Sequence, residues 1–376
     1  MGECGEAGIA AVARERSNPG SAISNQKERP KLDISCLVPE VSKIPLPKHI
    51  ALLPKAELHL HLEGSIRPQV AVALAARHHV RLTEDEVRGR YSYTDFAGFL
   101  DAFKWVTSFL LDPGDFALLA EDLAEQLLAQ RVVYAEVTLS VGVMLLRKQR
   151  PEANFEAMLR AVEGYEKRGL RMNWVFDAVR QFGAEAAMQV VEAAKQCCSD
   201  RIVAFGIGGD ELSLPTVEFR KVYERAREHG LHRLIHAGEI GAPENIREAI
   251  EILGAERIGH GITAVLSEEL MDSLAERQIP LELCPRSNLF TGALAKLRKQ
   301  SDVGLDKHPL PELMRRGVPV TLSTDDPAMF HTTLEEEYGA AHSAMGLTEE
   351  ELNRLVDSSF RHAFGWEKSE IGNQTE

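Results

Sequence analysis

Residues 57–64 read ELHLHLEG, which sets His59 and His61 one residue apart. Side chains alternate along a strand, so residues i and i+2 project to the same side. Two imidazoles therefore point together. Burying both without partners costs on the order of 1–3 kcal/mol each in lost hydrogen bonds. A shared metal ion removes that cost, and imidazole and carboxylate both suit Zn²⁺ at about 2.0–2.2 Å. Two ligands do not complete a site. His236 in HRLIHAGE and Asp325 in VTLSTDDP are the best further candidates. Three neutral imidazoles and one carboxylate leave a net positive site, which can bring the pKa of a water towards about 7. Glu239 lies three residues past His236 and can act on a substrate without binding the metal. His260, in IGHG, would flank the nucleophile. The vicinal Asp325 and Asp326 would repel as two anions in a dry site. Metal ligation by one and a substrate hydrogen bond from the other resolve the conflict. Singly, each has an ordinary reading: a lone strand histidine is more often a satisfied core residue than a ligand, and Asp-Asp-Pro is a common turn.

These residues need strands to position them. Short apolar runs at 56–61, 132–139, 171–179, 202–209, 232–238, 257–261, 279–285 and 318–325 alternate with segments of helical period. Strands buried on both faces read as continuous Val, Ile and Leu. These runs break that rule at the same end, in His59 and His61, Gly209-Asp210-Glu211, His236 with Glu239, His260, and Asp325-Asp326. Eight strands with intervening helices predict an α/β fold, a (β/α)₈ TIM barrel with its active site at the C-terminal strand ends. The insertion from Arg67 to about Gln130 is long for one crossover. Its stretch YTDFAGFLDAFKWVTSFLLD is amphipathic and aromatic-rich, which predicts a helical lid after strand one. Residues 1–45, rich in Gly, Ser, Pro and charge, are expected to be a disordered tail. Residues 46–366 are expected to form a single (β/α)₈ domain, and 367–376 a C-terminal tail.

The 376 residues are 44% hydrophobic and carry a formal charge of -14. The acidity argues against a nucleic acid polymer or an anionic membrane as partner. No apolar run approaches the ~18 residues of a membrane span. The first thirty residues lack the basic and apolar regions of a secretory signal. Five cysteines, an odd number without zinc-ribbon spacing, point to reduced thiols and a cytoplasmic location. The expected partner is a small molecule; oligomeric state is not readable.

With PKAELHLHLEGSIRP, GGDE, HAGE, IGHG, LCPRSN and LSTDDP in this order, the chain resembles the adenosine deaminase family of the amidohydrolase superfamily, from about Leu53 to Gly365. The resemblance implies one zinc per chain on His59, His61, His236 and Asp325. Glu239 would protonate purine N1 as water attacks C6, and His260 would orient and help deprotonate that water. Asp326 would hydrogen-bond N7, and the Gly209 backbone N3. Phe99 and Phe103, in FAGFLDAF, would cover the base. The reaction implied is hydrolytic deamination of adenosine or 2′-deoxyadenosine with release of ammonia. Glu63 stands where adenosine deaminases usually carry the aspartate that contacts the ribose 5′-hydroxyl. Adenine deaminases carry glutamate there, whereas GGDE looks like the nucleoside enzymes. Deamination of aminodeoxyfutalosine or adenine is the alternative. Arg286 or Arg67 would meet an anionic group on an extended 5′ substituent. Two other readings compete. A dinuclear hydrolase would use Asp210 or Glu211 at the end of strand four. A non-catalytic purine-binding protein would have lost a ligand or the acid, and none is lost.

Overall fold

The computed structural model describes residues 46–93 and 96–366; the expected tails at 1–45 and 367–376 lie outside the described residues. Eight strands follow the chain: β1 (Lys55–His61), β2 (Val132–Leu139), β3 (Arg171–Val179), β4 (Ile202–Gly208), β5 (His232–Ala237), β6 (Arg257–His260), β7 (Leu281–Leu283) and β8 (Val320–Leu322). They pair in that order, every pair parallel. The ring closes where Leu60 bridges Asp325. There the His61 N–H donates to the Asp325 carbonyl at 2.8 Å, and the Asp325 N–H to the His59 carbonyl at 3.0 Å. The seam that completes the barrel thus joins three of the candidate ligands through their backbone. The observed architecture is the expected (β/α)₈ barrel.

The last two strands are shorter than the apolar runs that announced them. Pro280 and Pro319 precede β7 and β8, and Pro285 opens a helix just after β7. Proline has no N–H to give to a ladder, so pairing stops there. Outside the barrel, helices bury one stripe each, as Gly183–Cys197 does with Ala187, Val190, Val191 and Ala194. The insertion after β1 folds as four helices: Pro68–Arg77, Glu84–Arg90, Phe96–Thr107 and Pro113–Ala129. The last starts at an Asp112 capping box and buries Phe116, Leu119, Ala120 and Leu123. None of the helices among the described residues is long and apolar enough to cross a membrane.

The barrel interior is not the apolar column that its strands suggested. Arg257 is 1% exposed and lies between two buried carboxylates. Its Nη2 donates to Glu136 Oε2 and its Nε to Glu282 Oε1, each at 2.5 Å. Its Nη1 donates to the His362 carbonyl at 2.8 Å, and its guanidinium lies 3.8 Å over the Phe364 ring. Glu136 also accepts from the Tyr134 hydroxyl and from the Phe364 N–H. The segment after the last helix therefore plugs the floor of the barrel. Removing one partner of a buried ion pair leaves an uncompensated charge and costs about 3–5 kcal/mol. Arg257→Met strands two such charges, so urea unfolding should show a loss of at least about 3 kcal/mol. Arg316→Met, which breaks an exposed pair with Asp272, should barely move the midpoint.

Candidate active site

Period-two alternation on β1 sends Leu58 and Leu60 into the barrel wall and His59 and His61 to the mouth, where all four are buried. The His59 and His61 ring centroids lie 5.4 Å apart, and His236 at the end of β5 lies 4.6 Å from His59. Asp325 follows β8, with Oδ1 at 3.5 Å from His59 Nε2 and 3.2 Å from His61 Nε2. One ligand atom from each of His59, His61, His236 and Asp325 falls within 4.8 Å of all the others. The expected ligand set is thus assembled in one place.

The cluster fits a metal ion. His59 Nδ1 is taken up by Glu282 Oε2 at 2.7 Å, so its Nε2 faces the other ligands, buried and without a hydrogen-bond partner. A carboxylate that fixes one ring nitrogen of a histidine sets the tautomer for ligation through the other. Asp325 Oδ2 accepts from Ser287 Oγ at 2.6 Å. The close packing of imidazoles requires small neighbours: a Cβ on Gly259 would come within 2.8 Å of His59 Cε1. Asp325 and His260 hold positive φ values of 65° and 61°, unusual for residues with a Cβ and typical of strain kept where chemistry needs it.

Glu239 and His260 complete the polar wall. Glu239 Oε2 lies 3.7 Å from His260 Nε2, and its Oε1 accepts from Thr291 Oγ1 at 3.1 Å. Burial, with the Asp325 and Glu211 carboxylates nearby, pushes the Glu239 carboxyl up to about 8. Burial and the adjacent Asp325 push Asp326 well above the usual carboxylate range, and its Oδ1 has no partner. Gly64, in the opening motif, makes room for this group: a Cβ there would collide with the Asp326 carboxylate. Asn288 Nδ2 lies 3.1 Å from His260 Nδ1, and burial pushes His260 down to about 3.

These groups face a pocket of about 510 Å³, within the range for drug-sized ligands, roughly 300–1,000 Å³. Helix Phe96–Thr107 covers it with Phe96, Phe99, Leu100 and Phe103, and Phe99 stacks on Phe330 at 4.9 Å. Gly209 lines the opposite side at φ 91°, where a Cβ would meet Gln181 Oε1 at 2.5 Å. His61, His236, Glu239, His260, Asp325 and Asp326 all reach the pocket.

Other expectations are not met. Glu63 sits behind the wall. It is 4% exposed, with Oε1 accepting from the Ser140 N–H at 3.0 Å, and it is Ser140 that lines the pocket. Arg286 is buried away from the mouth, where it donates to the His331 carbonyl at 2.9 Å and lies 4.0 Å from Glu337. Arg67 is tied to Asp122. Neither arginine is among the residues that line the pocket. Glu211, a candidate for a second metal, instead accepts backbone N–H groups from Gly238, Glu239, Ile240 and Gly241, at 2.5 to 3.2 Å. Its carboxylate holds the loop that carries Glu239. Missed altogether were Asp177, Lys104 and Arg147, which also line the pocket. Asp177 lies near the C-terminal end of β3 and breaks its apolar run, a signal that could have found it.

The family model described as adenosine deaminase matches residues 54–371. The chain is 36% identical over 367 residues to an aminodeoxyfutalosine deaminase of Streptomyces coelicolor, covering 94% of this chain and 92% of that protein. It is 37% identical over 316 residues to an adenine deaminase of the same organism, covering 83% and 90%. The solved adenine deaminase of Arthrobacter aurescens matches with a TM-score of 0.78 at 29% identity, over 85% of this chain and 96% of that one. Site, fold and kinship converge: the chain belongs to the adenosine deaminase family and is an adenosine deaminase-like aminohydrolase.

Proposed function

We propose that the chain hydrolytically removes the 6-amino group of an aminopurine and releases ammonia, using one zinc ion held by His59, His61, His236 and Asp325. The observation that carries this reading is a four-ligand cluster in a pocket that also presents the Glu239 carboxyl, 3.7 Å from His260. The relatives named for adenine and aminodeoxyfutalosine support an aminopurine substrate. They favour those two compounds over adenosine, the substrate first expected.

When bound, the metal supplies positive charge that makes a water acidic enough to be a nucleophile near neutral pH. Glu239 keeps its proton up to about pH 8, so it can donate to N1 of the ring. Protonated N1 draws electrons from C6 and opens it to attack. Asp326, itself protonated, donates to N7, a lone-pair acceptor. The Gly209 N–H, at the pocket wall, would donate to N3. Phe99 and Phe103 cover the base and keep the acid dry, which sustains its raised pKa. His260 stands between Glu239 and Asp325, on the side of the attacking oxygen.

Between the two named substrates, a second observation favours the one with an acidic arm. Lys104 and Arg147 line the pocket; Arg147 donates to the Thr107 carbonyl and hydroxyl and feels the Glu63 carboxylate behind the wall. Aminodeoxyfutalosine carries a carboxylate that two such cations would attract; adenine carries none and would leave much of the cavity empty.

An ultraviolet deamination screen of adenosine, 2′-deoxyadenosine, adenine and aminodeoxyfutalosine should give the highest kcat/KM for aminodeoxyfutalosine; no turnover of any aminopurine would sink the reading. Glu239→Gln should keep its metal and lose about 10²–10⁴-fold in kcat, the usual contribution of a general acid. A near-normal kcat would remove Glu239 from that role. Elemental analysis of the purified protein should find one zinc per chain. About two tightly held metals would point instead to a dinuclear hydrolase.

A further inference from the structure

The motif LCPRSN and the sequence DKHPL, not otherwise used by the mechanism, meet behind His260. Asn288, in the first, is fully buried, and His308, in the second, is 3% exposed. The Leu310 N–H donates to His308 Nδ1 at 3.2 Å. A backbone N–H can only donate, so that ring nitrogen carries a lone pair and the His308 proton sits on Nε2. His308 Nε2 lies 3.2 Å from Asn288 Oδ1. The carbonyl oxygen accepts that proton, which turns the Asn288 amide nitrogen towards His260 Nδ1, at 3.1 Å. An amide nitrogen also only donates. His260 Nδ1 must then be the acceptor, and the proton of the neutral ring sits on Nε2. That nitrogen faces Glu239 Oε2 at 3.7 Å and Asp325 Oδ2 at 3.8 Å, across the space where the incoming oxygen would stand.

We propose that His308 and Asn288 are positioning residues that lock His260 as the Nε2–H tautomer, so that His260 enters the reaction as a hydrogen-bond donor and not as a base. The direction of every bond follows from one backbone N–H at the start of the chain. Leu310 opens a helix, so this N–H has no helical acceptor to claim it. The relay is buried throughout, where reversing a single member would oppose two donors or two acceptors and leave polar groups unsatisfied. A donor at this place holds the attacking oxygen by its lone pair and stabilises negative charge on it, which is the orienting half of the role expected for His260. The half in which His260 removes a proton requires the opposite tautomer, with the Nε2 lone pair free.

The functional meaning of this relay rests on the proposed deamination, but its test does not. Selective ¹⁵N labelling of histidine in the zinc-loaded, ligand-free protein should show His260 with a protonated, pyrrole-type Nε2 and a pyridine-type Nδ1. Asn288→Asp replaces the donor by an acceptor and should move the proton to Nδ1. In the same variant kcat should fall by up to about 10⁴-fold, the loss that accompanies a catalytic imidazole held in the wrong tautomer, with KM and metal content little changed. His308→Leu, which removes the upstream donor, should give a mixture of tautomers, and His308→Gln, which restores an N–H, should return the wild-type spectrum. A pyridine-type Nε2 in the wild type, or an unchanged tautomer in Asn288→Asp, overturns the proposal. If the tautomers behave as expected and no aminopurine is deaminated, the relay stands and the substrate reading fails.

Discussion

The site depends on one hydrogen bond, from His59 Nδ1 to Glu282. A free imidazole offers either nitrogen as donor or acceptor, and a cluster of several imidazoles would have many arrangements of nearly equal energy. Glu282 removes the choice for His59 by accepting a hydrogen bond from its Nδ1–H, which leaves the other nitrogen as a lone pair aimed at the ligand cluster. Glu282 is held in turn by Arg257, and Arg257 by Glu136 and the chain segment that closes the barrel floor. A line of charge-assisted hydrogen bonds therefore runs from the bottom of the barrel to the proposed metal ligands. Burying so many charges is a poor way to gain stability. It makes sense as a way to fix geometry, because a charged network in a dry interior tolerates little displacement.

The same logic recurs around the mouth with different groups. Glu211 gathers the N–H groups of the Gly238–Gly241 turn and so sets where Glu239 stands. Ser287 and Asn288, adjacent on one short helix, address Asp325 and His260 respectively. His59, Asp325, His260 and Glu239 thus each have a partner from a different strand or loop. Burial, with the acids Asp325 and Glu211 as neighbours, pushes the Glu239 carboxyl up to about 8, and the helix Phe96–Thr107 covers the pocket it faces. Stripping that cover would admit water and lower the same pKa that makes the acid useful.

What was legible in the sequence was whatever local pattern determines. The i, i+2 spacing of His59 and His61 is a property of one strand, and it correctly placed both imidazoles in one cluster. The polar breaks at strand ends located His236, His260 and Asp325 by the same reasoning. The eight strands were legible because each is a short apolar run; their ends were overestimated where prolines cut the ladder. Illegible were the partners that arrive from far along the chain. Glu282 lies 223 residues from His59, and a single acid inside an apolar strand says nothing about which imidazole it will meet. Arg286 failed for the complementary reason. Its place within the motif LCPRSN suggested the pocket, but the helix that starts at Pro285 turns it towards Glu337, while Arg147 and Lys104, which carry no motif, came to line the pocket.

The distribution of charge in the pocket bears on what it selects. Its acids are Asp177, Glu239, Asp325 and Asp326, the last three gathered with the histidines, and its cations Lys104 and Arg147 belong to the covering helix and to the residue that anchors it. Arg147 donates to the Thr107 carbonyl and hydroxyl, at 2.6 and 3.0 Å, and so ties the end of that helix to the rim after β2. A ligand anion reaching Arg147 would meet a guanidinium that also holds the cover in place. Binding of the distal arm and exclusion of water from the reacting end would then be coupled through one side chain. In such an arrangement the remote part of a substrate contributes to the rate and not only to affinity, since energy gained at the arm keeps dry the acid that must stay protonated.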